Sequence, residues 1–180
     1  MTRLGPGGLT LAEIATEAGV TAGALVQRFG SKRDLLLQLS AGAADGNAQF
    51  IRGLRKKNRS ALAVLRAYAE CLADLAASPA ALARNLAYLQ IDLTDPDFRK
   101  HLLAQALATR VALREVIDEA VAAGELSSAV DSDALARVVE TTLSGSLITW
   151  AIYRDGHAAA WLRADVDAVL APHLPRRRRR

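Results

Sequence analysis

Residues 9–36 read LTLAEIATEAGVTAGALVQRFGSKRDLL, and this stretch decides the fold. Leu11, Ile14, Ala15 and Ala18 recur at i, i+3, i+4 and i+7, the apolar face of one short helix. Thr10 and Glu13 have the spacing of a capping box at its start. Gly19 supplies the residue most tolerant of a left-handed C-cap. Thr21 can cap a second helix, on which Leu25 and Phe29 share a face, and Ser31 with Asp34 opens a third before Leu35, Leu36 and Leu39. Helix, three-residue turn, helix, then a longer helix is the order of a helix-turn-helix. Ala15 is small where two helices cross closely, Gly19 makes the turn, and Val20 and Leu25 are expected to plug the junction.

On the second helix this leaves Ala22, Gly23, Ala24, Gln27 and Arg28 without core duties. A recognition helix presents such residues to the major groove, its N-terminal half leading. Gln pairs with adenine, Arg with guanine or phosphate. Lys32, beside the N-terminus of the third helix, is placed to meet a phosphate together with free backbone N–H groups. Spacing alone also allows an ordinary helical hairpin with a solvated polar face.

The full string resembles the DNA-binding segment of TetR-family transcriptional regulators, whose pattern runs roughly T-hydrophobic-x-x-I-A-x-x-A-G-V-S/T-x-G-x-L-Y-x-x-F-x-S-K-x-x-L-L. The resemblance implies a DNA-binding set of Thr10, Thr21, Ala22, Gly23, Ala24, Gln27, Arg28 and Lys32. Within it Thr10 and Lys32 would meet phosphate, and Thr21, Ala22 and Ala24 would approach base edges. Val26 stands where the family commonly has a phosphate-reaching Tyr, and Ala22 where a longer polar side chain is frequent. Base readout is therefore expected to lean on Gln27 and Arg28, with methyl contacts from Ala22 or Ala24 to thymine. Family members precede this segment with a full helix, whereas Met1 to Gly8 resemble only the loop that follows it, so that helix is expected to be missing.

The composition agrees with an all-α chain. Ala (37) and Leu (28) fill over a third of the 180 residues, with only 3 Phe, 3 Tyr and 2 Trp, too few aromatics for a β sandwich. Residues 1–59 carry 9 Lys+Arg against 4 Asp+Glu, and residues 60–175 carry 9 against 15. The pattern is a basic head, an acidic body and a basic Arg176–Arg180 tail, and a basic head points to a polyanion. The tail reads as disordered, with a nonspecific contribution to DNA affinity as its expected role. The expected domains are a helix-turn-helix head over 1–46, a helical regulatory and dimerisation domain over 47–175, and the tail over 176–180. Gly42, Gly46 and Gly53 thin helix propensity at the joint, where Arg52, Arg55, Lys56, Lys57 and Arg59 read as a solvated linker face in preference to a phosphate contact.

In the body, helices are expected over Ser60 to Ala77, Ala80 to Leu93, Pro96 to Ala123, from Asp131 or Asp133 to near Gly156, and over Ala158 to Ala171. Asp92, Asp95 and Asp97 lack EF-hand spacing and read as helix caps. Thr141 to Tyr153 carries no charge on any face and is expected to be buried all round. Self-association of the last two helices as a four-helix bundle answers that need, and the resemblance implies the same homodimer. Leu143, Leu147, Trp150, Leu162, Val166 and Val169 are the expected interface. The resemblance further implies an effector pocket, for which Tyr68, Leu72, Tyr88, Phe98, Leu102 and Trp150 are the candidate lining.

One cysteine, Cys71, excludes an internal disulfide. No His or Cys spacing suits a metal or a nucleophilic site and no glycine loop cradles phosphate, so neither catalysis nor a cofactor is expected. No signal-peptide pattern and no apolar run of about 20 residues is present, so a soluble cytoplasmic protein is expected. The expected function is a transcriptional regulator, a repressor by family habit, that binds double-stranded DNA as a homodimer and is released by a small-molecule effector. The rival is a ligand-binding dimer whose incomplete head does not read DNA.

Overall fold

The computed structural model describes residues 9–43, 45–76 and 78–175. Among them are nine α-helices and no strand: α1 Leu11–Glu17, α2 Ala22–Phe29, α3 Lys32–Gly42, α4 Gly46–Lys57, α5 Ala61–Ala73, α6 Pro79–Thr94, α7 Pro96–Ala122, α8 Ser132–Tyr153 and α9 Ala158–Leu170. The expectations for Met1 to Gly8 and for Arg176–Arg180 lie outside the described residues.

Hydroxyl caps start all three head helices. Thr10 Oγ1 accepts from the Glu13 amide at 3.2 Å while the Thr10 amide donates to Glu13 Oε2 at 2.7 Å, a complete capping box. Thr21 and Ser31 each accept from the amide three residues on, both at 3.1 Å. Gly19 adopts φ +67 and Gly30 φ +79, conformations that cost a side-chain-bearing residue steric energy. Ala15 and Leu25 are buried as expected, whereas Val20 is 46% exposed and plugs nothing. Its amide, bonded back to the Ala15 carbonyl at 2.9 Å, closes the turn and carries the side chain outward.

The joint departs from expectation. α4 starts at Gly46 and runs unbroken through Gly53, although an interior glycine costs about 1 kcal/mol of helix propensity. Packing offsets that cost: Ala48 and Ile51 are buried against α5 and α7. The basic stretch is likewise more than a linker face. Arg52 pairs with Glu115 at 3.3 Å, and Arg55 pairs with Glu119, so two of its five cations hold α4 to α7.

In the body, α5 packs on both α7 and α9, with Val64, Leu65, Leu113, Ile117, Leu162 and Val166 at its centre. The Glu125 carboxylate accepts from the Ala61 and Leu62 amides at 3.2 and 3.1 Å, placing an anion at the α5 N-terminus. Ser60 to Ala77 is not one helix: α5 ends at Ala73 and Asp74–Ala76 tightens into a 3-10 turn. Pro79 forces its neighbour Ser78 into extended backbone, φ −158, so the preceding helix has to end. Asp95 caps α7 by accepting from the Asp97 amide at 3.0 Å, with Pro96 in the first turn.

α8 is not buried all round within one chain. Leu143, Ser146, Leu147 and Trp150 face the core, while Ile148, Ile152 and Tyr153 are exposed, Ile152 by 73%. This corrects the expected interface: Leu143, Leu147, Trp150, Leu162 and Val166 are core side chains of a single chain and Val169 is half-buried against the same core. The absence of charge over residues 141–153 does not say which face of the helix meets its own chain.

Candidate nucleic-acid interface and effector cavity

Two features match the expected sites, the outer face of α2 and the hollow inside the body. On α2, Gly23, Ala24, Gln27 and Arg28 are exposed and Ala22 is half-buried. Neither Gln27 nor Arg28 has a hydrogen bond or ion pair among the described residues; the Arg28 guanidinium lies 5.3 Å from its neighbour's Phe29 ring. Thr21 accepts from the Ala24 amide, and its hydroxyl proton has no acceptor among the described residues. Thr10 differs: its hydroxyl donates to Glu13 Oε2 at 2.8 Å, so a phosphate contact through that proton would displace Glu13. Val26 is exposed and offers no polar atom where the resemblance has tyrosine. Lys32 is half-buried at the start of α3.

The head is tied to the body by its neighbour Arg33. The guanidinium donates to both Asp95 oxygens at 2.8 and 2.9 Å and to Asp97 Oδ2 at 2.7 Å, and lies 5.7 Å from the Phe98 ring. The hydrogen bond from Arg33 holds the Asp95 carboxyl below the usual carboxylate range. Because the folded value is lowered, the pair's contribution to stability is complete above the ordinary value of about 3.9 and is lost as pH falls through the folded value. The wild-type protein should therefore melt above Arg33→Met at neutral pH, by a small margin that closes in acid. Thermal midpoints measured across pH check this, and a margin that persists in strong acid would contradict it.

The expected pocket residues divide between two cavities. The first, about 280 Å³, lies among α4, α5, α7 and α8 and takes Tyr68, Leu72 and Leu102 from the expected set. Sequence reasoning missed its polar lining: Asn47, Gln105, Thr109, Glu140 and Ser144. The available signal was Gln105 and Thr109 standing in the inward stripe of α7 beside Leu102, Ala106 and Leu113. Glu140 is held by Arg110 at 2.8 Å. Burial, helped by the Glu140 charge, pushes the Tyr68 phenol up to about 12, so Tyr68 is a neutral hydrogen-bonding group there. The second cavity, about 230 Å³, lies between α3 and α6–α7 and takes Tyr88 and Phe98. Trp150 lines neither; it is core, with Nε1 donating to the Gly156 carbonyl at 3.2 Å.

Residues 2–39 match the profile of bacterial regulatory proteins of the tetR family. Residues 62–166, more than half of the chain, match the tetracyclin repressor-like C-terminal domain. The chain belongs to the TetR family. No curated protein matches it. Among solved structures it is similar to a TetR transcription regulator from Haloarcula marismortui, at TM-score 0.75 and 18% identity over 94% of this chain and 89% of that one. The TetR family regulator PfmR from Thermus thermophilus gives TM-score 0.64 and 22% identity over 92% and 89%. The transcriptional regulator FadR from Bacillus subtilis, solved in complex with stearoyl-CoA, gives 0.67 and 18% over 91% and 88%. At these identities the likeness is one of fold. Membership identifies this TetR-family chain as a transcriptional regulator of an all-α, helix-turn-helix type, in a family of DNA-binding proteins and not of enzymes. Among the described residues no helix is long and apolar enough to cross a membrane.

Proposed function

We propose that this protein is a transcriptional repressor that binds a near-palindromic operator as a homodimer and is released by a small-molecule effector. The observation that carries this reading is the outer face of α2, where the exposed Gln27 and Arg28 side chains project from a capped helix pair with no hydrogen bond or ion pair among the described residues. Gln27 and Arg28 would read bases, Ala22, Gly23 and Ala24 would let the helix approach the groove closely, and Thr10, Thr21 and Lys32 would hold the backbone.

The partner surface is the uncovered side of α8 and α9. Val138, Thr141, Gly145, Ile148 and Ile152 recur at intervals of 3, 4, 3 and 4, and all are exposed. On α9, Ala160, Ala164 and Ala168 form an exposed ridge of small side chains. A stripe at this spacing is the seam of a helix bundle. Two copies meeting there about a two-fold axis bring two α2 helices to one face. The cavity around Tyr68 and Glu140 is the effector site; its volume and its apolar walls with a few polar groups suit a small, largely apolar molecule. The head is residues 1–46 and the regulatory body 47–175.

The test is fluorescence anisotropy of the full chain on DNA from beside its own gene, titrated with salt against a scrambled duplex. Selective binding that weakens steeply with salt is expected. Equal, weak binding to both duplexes would overturn the reading and leave a ligand-binding dimer.

A further inference from the structure

The second cavity is unlike the first in both position and chemistry. One wall is the head helix α3, through Leu36, Leu39 and Ser40; the other is α6 and the first turn of α7, through Ile91, Asp92 and Phe98. Asp92 is the only charged side chain in this lining. It is half-buried and has no hydrogen bond or ion pair among the described residues. Burial pushes its carboxyl above the usual range, the mark of a carboxylate without compensation. The Arg33 guanidinium pairs with Asp95 and Asp97, and no ion pair to Asp92 is found among the described residues.

The geometry points to a second ligand site at the head–body joint that takes a small apolar ammonium, its charged nitrogen on Asp92 and its apolar part against Leu36, Leu39, Ile91 and Phe98. Size sets the class: a cavity of about 150 Å³ holds benzene, and drug-sized ligands need about 300 Å³ or more. At about 230 Å³ the joint has room for one ring and a short arm. The Ser40 hydroxyl can accept a second ammonium hydrogen. Such a ligand would touch the head directly, because α3 follows α2 after only Gly30 and Ser31. Any effect on DNA rests on the proposed DNA-binding role, and by linkage DNA would change the ligand's affinity by the same factor. Binding itself does not depend on that role.

The test is calorimetric titration of the full chain with 2-phenylethylammonium, 2-phenylethanol and 3-phenylpropionate. The ammonium should bind saturably, one per chain, and about tenfold or more tighter than the other two, the scale of one charge-assisted hydrogen bond. Asp92→Asn should abolish that preference while melting no lower than wild type, since it removes an uncompensated charge. Leu39→Phe, at an exposed rim position of this cavity, should weaken binding, and Leu102→Phe in the first cavity should leave it unchanged. Absence of saturation, equal affinity for the three compounds, a preference that survives Asp92→Asn, or sensitivity to Leu102→Phe instead would each overturn the proposal. Ligand-free duplex titration reports on DNA reading separately, so the two proposals fail independently.

Discussion

Ile148→Glu should convert the proposed dimer to a monomer and leave the fold of each chain intact. In a single chain Ile148 is 44% exposed, so a carboxylate there stays in water and the chain loses little. In the proposed bundle the same position lies in the middle of the seam, between Gly145 and Ile152. Two-fold symmetry places two carboxylates there without cations to meet them, and each buried ion costs several kcal/mol. The dimer dissociation constant should rise by roughly a thousandfold or more. Sedimentation should show the monomer mass, with the helical circular dichroism signal retained. DNA affinity should fall with it, because a monomer holds one half-site, and the salt dependence should flatten toward half its slope. An unchanged dimer would remove the α8 seam from the interface. Val166→Glu is the contrasting variant: Val166 has no exposure in the single chain, so that change should unfold the protein and would say nothing about association.

The second large effect is expected at α2. Gln27→Ala removes an exposed side chain and Arg28→Ala removes only an exposed guanidinium contact with the Phe29 ring, so thermal midpoints should fall little, if at all. A good bidentate base contact is worth about 1–3 kcal/mol, and a homodimer on a near-palindrome makes it twice. Arg28→Ala should therefore weaken operator binding by roughly 30-fold to 10⁴-fold if both half-sites use it. The scrambled duplex tells the kind of contact. A base-reading side chain is lost mainly from the operator, collapsing selectivity. A phosphate-binding one is lost from both duplexes alike, lowering the salt slope by about 1 per contact. No change on either duplex would remove the outer face of α2 from DNA recognition.

The head was readable because its signals are local. Thr10, Thr21 and Ser31 mark three helix starts within a few residues of backbone, and Gly19 and Gly30 take the positive φ angles that glycine tolerates best. The body was readable as helices for the same reason, down to Asp95-Pro96 opening α7. Tertiary choices were not. Val138, Thr141, Gly145, Ile148 and Ile152 interleave with Val139, Leu143, Leu147 and Trp150 on one helix, and both stripes are apolar enough to be core. Only the placement of α5, α7 and α9 decides that the second stripe faces inward. α4 shows the same limit from the other side, since the interior Gly53 argues against a helix that burial of Ile51 and two ion pairs to α7 sustain. The pocket set mixed two hollows because Tyr68 and Tyr88 look alike in sequence, and what separates them is whether α3 or α8 forms the opposite wall.

The contiguous core runs from Ala48 to Leu170 and includes no described residue of α1, α2 or α3, whose own buried side chains are Ala15, Leu25 and Leu35, with Leu9 just ahead of α1. Head and body are therefore expected to open as separate cooperative units, the head more readily. Its amide protons should exchange with deuterated solvent through brief local openings, well before those of α5, α7 and α9, which wait for the whole body to open. Operator DNA would slow exchange in the head selectively, because part of the free energy of docking would be spent on closing those openings.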